Sequence, residues 1–167
     1  KVVILIENNY QELEFWVPYY RLKEEVVDVT VVGSWSSRTY TSKNGYPVEV
    51  EKEAKDIDVS KYDGVVIPGG YAPDLMRRYP DMVSIVREAH QKGKVVSAIC
   101  HAGWMLVSAG ILKGKKATGV SAIKDDLANA GANYVDAEVV RDGNLITSRK
   151  PDDLPAFCRE TIEALAK

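Results

Sequence analysis

Cysteine is scarce in this chain of 167 residues: only Cys100 and Cys158 occur, too few for a disulfide framework and without metal-ligand spacing. Reduced thiols are expected, and neither a metal nor a cofactor. No apolar run approaches the roughly 20 residues that span a bilayer, and the first residues lack the basic, apolar and small-residue regions of a signal peptide. A cytoplasmic location without a membrane partner is expected. An excess of one charge sign is also missing: 22 Lys and Arg against 24 Asp and Glu leave a net charge of −2, which draws the protein to neither nucleic acid nor anionic membrane. Repeats, low-complexity segments and linkers are absent, so residues 1–167 are expected to form one domain, with 46% hydrophobic residues available for its core.

The pattern that is present alternates strand and helix. "KVVILI" is a continuous apolar run, "QELEFWVPYYRLKEE" carries its apolar residues at helical spacing, and "VVDVTVV" is β-branched. The alternation repeats through "YDGVVIPGG", "DMVSIVREAHQKG" with Gly93 as a helix stop, "KVVSAIC", and "HAGWMLVSAG" with Gly110 as another. Strands that are apolar throughout are buried on both faces, which predicts an α/β fold with a mostly parallel sheet between two helical layers. Two segments break the alternation: residues 35–51, around Asn44-Gly45 and Pro47, and "AEVVRDGNLITS", a hairpin built on Asp142-Gly143. Both read as antiparallel strands appended at a sheet edge. "PDDLPAFCRETIEALAK" closes the chain as a packed helix.

Cys100 falls where "VVSAIC" turns into the next helix. In open α/β sheets, ligands bind outside the carboxyl ends of the strands. A sharp elbow there holds a nucleophile clear of the backbone and aims the next N–H groups at an oxyanion. Ala98, Ala102 and Gly103 are small enough for such a turn. A free thiol, with a pKa of about 8.5, is only a few per cent thiolate at pH 7. A helix N-terminus contributes at best roughly 2 kcal/mol, against about 1.36 kcal/mol per pKa unit, so a second group is needed. A base, a cation or a protonated acid would serve. A cysteine at a strand end is also a common packing residue. The adjacent His101 and the small residues favour chemistry at Cys100, whereas Cys158, on the apolar face of the last helix, reads as packing.

The other strand ends supply candidates. "ENNYQELEFW" places Glu7, Glu12 and Glu14 near the same sheet edge. Glu14, among Leu13, Phe15 and Trp16, would be kept protonated by partial burial and could donate a hydrogen bond to a thiolate; its position by itself better fits an ordinary first-turn acid stabilised by the helix dipole. After "GVVIP", Gly69-Gly70 forms a turn whose N–H could face the cleft, and Asp74 either caps a helix or acts as a carboxylate partner. Consecutive residues at an elbow project differently, so the imidazole of His101 need not reach the neighbouring thiol. His90, before "QKG", reads as solvated.

Taken together, "ELEFWVP", "VVIPGGYAPD", "AICHAG", "SAGILKGKKATG", "IKDDLANAGANYVDAEVV" and "DGNLITSRKPDDLPAF" resemble the ThiJ/PfpI superfamily over essentially the whole chain, closest to its PfpI-like intracellular cysteine peptidase and general stress protein branch. The resemblance implies a flavodoxin-like three-layer sandwich related to the class I glutamine amidotransferases. It also implies that Cys100 is the nucleophile, Glu14 the acid hydrogen-bonded to it, and His101 the adjacent histidine. Gly70 and the amide of His101 would form the oxyanion hole. Asp74 stands where peptidase members carry a carboxylate, usually Glu, that completes a triad across a subunit interface, so a homo-oligomer is expected. "CHAG" stands for the more usual "CHGP", and Val120 for a residue that is often aromatic. The activity implied is a cysteine-dependent hydrolase or lyase acting on peptides or small carbonyl compounds: a peptidase, a glutathione-independent glyoxalase or a deglycase. The alternative from another class is a stress-response module whose cysteine oxidises reversibly without turnover.

Overall fold

The computed structural model describes residues 1–167 and has a seven-stranded sheet at its centre. Strand β1 (Val2–Ile6) leads into helix α1 (Glu12–Glu24) and then strand β2 (Val29–Gly33). A small ribbon of β3 (Thr39–Thr41) and β4 (Pro47–Glu49) follows, then β5 (Lys52–Glu53) and β6 (Gly64–Ile67). Helices α2 (Ala72–Met76) and α3 (Pro80–Gln91) precede β7 (Val95–Ile99) and α4 (Gly103–Ala109). A parallel pair, β8 (Lys116–Ala117) and β9 (Asn133–Tyr134), flanks α5 (Lys124–Asn129), and the chain ends with β10 (Val140–Asp142), β11 (Leu145–Ser148) and α6 (Leu154–Leu165).

The sheet order is β10-β11-β7-β6-β1-β2-β5, with only β10 antiparallel. From β1 the chain first builds outward through β2, then returns to the other side of β1 to place β6. The reversal makes a switch point between β1 and β6, where a flavodoxin-like sheet opens a crevice. Helices α1 and α6 pack together on one face, and α2, α3 and α4 on the other. As the apolar runs predict, every residue of β1, β6, β7 and β11 is buried.

Local signals end the elements as expected. Gly93 (φ +70°) and Gly110 (φ +69°) follow α3 and α4 in the left-handed region that a residue with a Cβ enters only with strain. The last hairpin does occupy a sheet edge, but its loop is Gly143-Asn144, one residue later than the Asp142-Gly143 dipeptide implies; Asp142 already pairs with Leu145. The other antiparallel segment differs more. β3 and β4 form a separate two-stranded ribbon, and only β5 joins the main sheet, parallel to β2. The ribbon is tied to the site-bearing loop instead: Tyr10 bridges Ser42, and its hydroxyl donates to the carbonyl of Tyr46 at 2.8 Å.

Buried polar groups are paired across layers. Ser97 in β7 and Thr161 in α6 join their hydroxyls at 2.8 Å. Glu7 is buried as well, accepting from the hydroxyls of Ser34 and Ser36. Cys158 lies in the core, and burial pushes its thiol up to about 11, as a packing residue requires. His90 departs from expectation: it is half-buried, its Nδ1 has no partner, and burial holds its pKa below the usual imidazole value. No helix is long and apolar enough to cross a membrane.

Phe157, fully buried on α6, tests this packing. Phe157→Ala should cost about 3–5 kcal/mol, read as a lower midpoint in urea at an unchanged denaturant slope.

Candidate active site

Three loops from adjacent carboxyl ends of the sheet, following β1, β6 and β7, meet at the switch point. The elbow after β7 is the most constrained. Cys100 has φ +62°, the left-handed region, between an extended Ile99 and a short 3₁₀ turn that runs into α4. A non-glycine residue held there stores of order 1–3 kcal/mol of strain. Small residues let the turn close: a Cβ on Gly103 would come 2.9 Å from side chains of Ile123 and Leu127, and one on Gly119 3.2 Å from the Cys100 carbonyl. The elbow predicted from "AICHAG" is present.

The same backbone geometry corrects the expectation for His101. Its Nδ1 lies 3.3 Å from the sulfur of Cys100. The left-handed turn swings the two side chains toward one another, where a regular helical start would separate them. The imidazole stands 5.1 Å from the ring of Trp104 and is half-buried. Burial, and then the charge of Lys43, hold its pKa below the usual value, so it is neutral near pH 7.

Glu14 is fully buried. It occupies the first turn of α1, where Gln11 acts as the cap: the side-chain oxygen of Gln11 accepts from the N–H of Glu14 at 3.0 Å. The N–H of Gly69 donates to Oε1 of Glu14 at 3.0 Å, which fixes the carboxyl under the β6 loop. The buried Oε2 makes no hydrogen bond of ordinary geometry. Carboxyl and thiol nevertheless shift each other. Burial raises Glu14 to about 7, against the lowering effects of the Gly69 amide and the Cys100 side chain. Burial, then the Glu14 carboxylate, push Cys100 up to about 12, against the lowering effect of the His101 and Gly70 amides. Two negative charges so close are mutually exclusive, so the pair holds one proton between them over a wide pH range.

The two glycines after β6 have separate reasons. A Cβ on Gly69 would lie 2.6 Å from Glu14 Oε1 and 2.9 Å from Cys100 Cβ, so only hydrogen fits between acid and thiol. Gly70, at φ +75°, bridges Tyr10, and a Cβ there would meet the Gln11 nitrogen at 2.6 Å. Asn9 is also left-handed, at φ +62°, a conformation asparagine tolerates better than most residues, and its carbonyl receives the N–H of Tyr71 at 2.9 Å.

The structure thus brings together Cys100, His101, Glu14 and Gly70 around an open cleft of about 320 Å³. Asp74 stays apart. It sits in the first turn of α2, neither capping that helix nor bonding His101 of its own chain; it pairs with Arg78 at 2.6 Å, and that guanidinium lowers its pKa. Val120 donates its N–H to the Cys100 carbonyl at 3.4 Å and lines a neighbouring hollow with Tyr134 and Lys150. Glu7 and Glu12 serve other ends, Glu12 accepting from the hydroxyl of Ser42 and the N–H of Asn44. Gln11, Lys43, Trp104 and Pro151 also line the cleft and have no sequence signal of their own. Lys43 arrives from the β3–β4 turn, where a lysine beside Asn-Gly reads as an ordinary solvated residue. No group of three or more His, Cys, Asp or Glu is arranged to hold a metal.

A flavodoxin-like sandwich with a cysteine on a strained strand-to-helix elbow, beside a buried carboxyl and an imidazole, defines the class of the protein. The chain belongs to the DJ-1/PfpI family, whose model matches residues 1–164. It is 44% identical over 165 residues to a Pyrococcus horikoshii protein named as a deglycase, covering 99% of both chains. It is 37% identical to General stress protein 18 of Bacillus subtilis, over 100% of this chain and 98% of that one. Among solved structures, an Anabaena variabilis protein with DJ-1/ThiJ/PfpI-like and ferritin-like domains superposes with a TM-score of 0.97 at 43% identity. The match covers 99% of this chain and 49% of that two-domain protein, so this chain spans about half its length.

The raised pKa of Glu14 has a signed consequence. The folded state holds the proton above the ordinary 4.5, so stability is fully present below that value and falls as pH rises through about 7. At about 1.36 kcal/mol per pH unit the loss is roughly 3 kcal/mol. Glu14→Gln should flatten this part of the stability profile, measured by urea denaturation at pH 5 and pH 8.

Proposed function

We propose that this protein is a cysteine-dependent hydrolase of the deglycase type, acting on small carbonyl or acyl adducts. The observation that carries the reading is the strained Cys100 elbow, with Sγ 3.3 Å from His101 Nδ1, in a cleft that Gly70 and Glu14 also line. In the resting pair the charge lies on Glu14, which titrates at about 7 against about 12 for Cys100, and transfer of the thiol proton to the Glu14 carboxylate as the substrate binds places that charge on sulfur. There the His101 and Gly70 amides favour it, while the Oε2 of the protonated Glu14 has a hydrogen to donate and no other acceptor. The thiolate attacks the carbonyl carbon, and the developing oxyanion takes over the Gly70 and His101 amides from the sulfur. Neutral His101 then accepts a proton from the water that releases the product. A reducing cytoplasm would keep such a thiol available.

The Nε2 of His101 makes no hydrogen bond within the chain, which supports a partner from outside it. Asp74 of a neighbouring subunit, exchanging Arg78 for the imidazole, would orient the ring and make the site depend on a homo-oligomer.

Two outcomes test this reading. Cys100→Ser should lower consumption of methylglyoxal, and release of lactate from methylglyoxal-treated peptides, by at least about a thousandfold. Equal rates for both proteins would remove the catalytic role. Asp74→Asn should reduce kcat more than KM and lower the pKa of His101 measured by NMR, but only at protein concentrations where the oligomer persists.

A further inference from the structure

One cation faces the cleft outside any salt bridge. Lys43 lines the same hollow as Cys100, His101 and Gly70, and it takes part in none of the ion pairs of the fold. The carboxylate that reaches its loop is already engaged: Glu12 accepts from the Ser42 hydroxyl and, at 3.0 Å, from the N–H of Asn44. Glu14, deeper in the cleft, is directed to Gly69 and the thiol.

The backbone beneath Lys43 is held from several sides. Its own N–H donates to the Tyr10 carbonyl at 3.0 Å, and Ser42 donates to the Tyr46 carbonyl at 2.9 Å. The N–H of Tyr46 returns to the Ser42 hydroxyl at 2.9 Å. Glu12 therefore anchors the residues on either side of Lys43 and leaves the ammonium group, whose charge acts on Glu14 and His101, outside any salt bridge in the cleft that Cys100 lines. A structural lysine needs no such frame, whereas a side chain that receives a ligand at a set position does.

We propose that Lys43 selects substrates that carry a carboxylate one or two bonds from the electrophilic carbon, so that the favoured class is oxo-carboxylates and acyl compounds bearing an adjacent acid. This rests on the reading of Cys100 as an activated nucleophile and adds the group that recognises what the thiolate attacks. The ammonium pairs with the carboxylate at the cleft mouth, and the carbonyl carbon is left toward Cys100. A compact, strongly hydrated charge suits an exposed carboxylate that keeps part of its own hydration.

Iodoacetate and iodoacetamide test the assignment directly, since both present the same CH₂–I carbon and differ in one charge. In each, the thiolate forms the S–C bond as the C–I bond breaks and iodide leaves, so their rate ratio cancels the thiolate fraction. In a Cys158→Ser background, the iodoacetate-to-iodoacetamide ratio at Cys100 should exceed that of a small free thiol. Lys43→Gln should lower it about fivefold, the size of one solvent-facing ion pair, while Lys43→Arg retains it and high salt erodes it. A ratio unchanged in Lys43→Gln overturns the proposal while leaving the nucleophile reading intact. If Cys100 resists both reagents, the nucleophile reading fails by itself. Lys43 is then judged by the His101 imidazole signals titrated with acetate and with acetamide: a response to acetate alone, lost in Lys43→Gln, supports the anion site, and equal responses overturn it.

Discussion

The left-handed backbone of Cys100 is the constraint around which the rest of the site is arranged. A residue with a Cβ does not hold φ +62° by itself, so the conformation must be imposed from both sides. Upstream, β7 is buried along its whole length and paired to β6 on one edge and β11 on the other, which fixes where the strand ends and in which direction it points. Downstream, α4 is drawn against Ile123 and Leu127 at Gly103, close enough that no side chain fits between. The strain is small beside the burial that imposes it, and it turns the thiol, the imidazole of His101 and the elbow amides into one cleft.

Electrostatics then follows from burial. A carboxyl and a thiol enclosed together cannot both ionise, and the energy of enclosing Glu14 favours the proton remaining in the pair. The arrangement weakens the fold above neutral pH and supplies a proton donor beside the sulfur. Gly69 makes the approach possible, since a single methyl group there would separate acid from thiol.

The topology explains why residues distant in sequence converge. The carboxyl ends of β1, β6 and β7 lie side by side at the reversal of strand order, so Glu14, Gly70 and Cys100 arrive from three crossovers without any long loop. The β3–β4 ribbon adds a fourth contributor from above the sheet edge, anchored through Tyr10, Ser42 and Glu12. That ribbon is the part of the architecture that sequence reasoning misplaced. Its strands are three residues each, and nothing in their pattern distinguishes joining a sheet edge from standing apart.

The parallel α/β sandwich was legible in the sequence because buried strands read as uninterrupted apolar runs and helices end at Gly93 and Gly110. The elbow was legible for a similar reason: a cysteine flanked by Ala98, Ala102 and Gly103 is a local pattern with a local steric meaning. What the tertiary structure alone decided are relations between segments. Whether Glu14 is a solvated first-turn acid or a buried proton holder depends on the β6 loop lying over it. Whether His101 reaches Cys100 depends on a sign of φ that flanking packing imposes, and His90 is half-buried for reasons that lie outside its own helix. The charge of Lys43 acquires meaning only when the ribbon sets it in the cleft that Cys100 lines. Periodicity and side-chain size are properties of a few consecutive residues, whereas burial, charge pairing and backbone strain are set by neighbours that the sequence places tens of residues away.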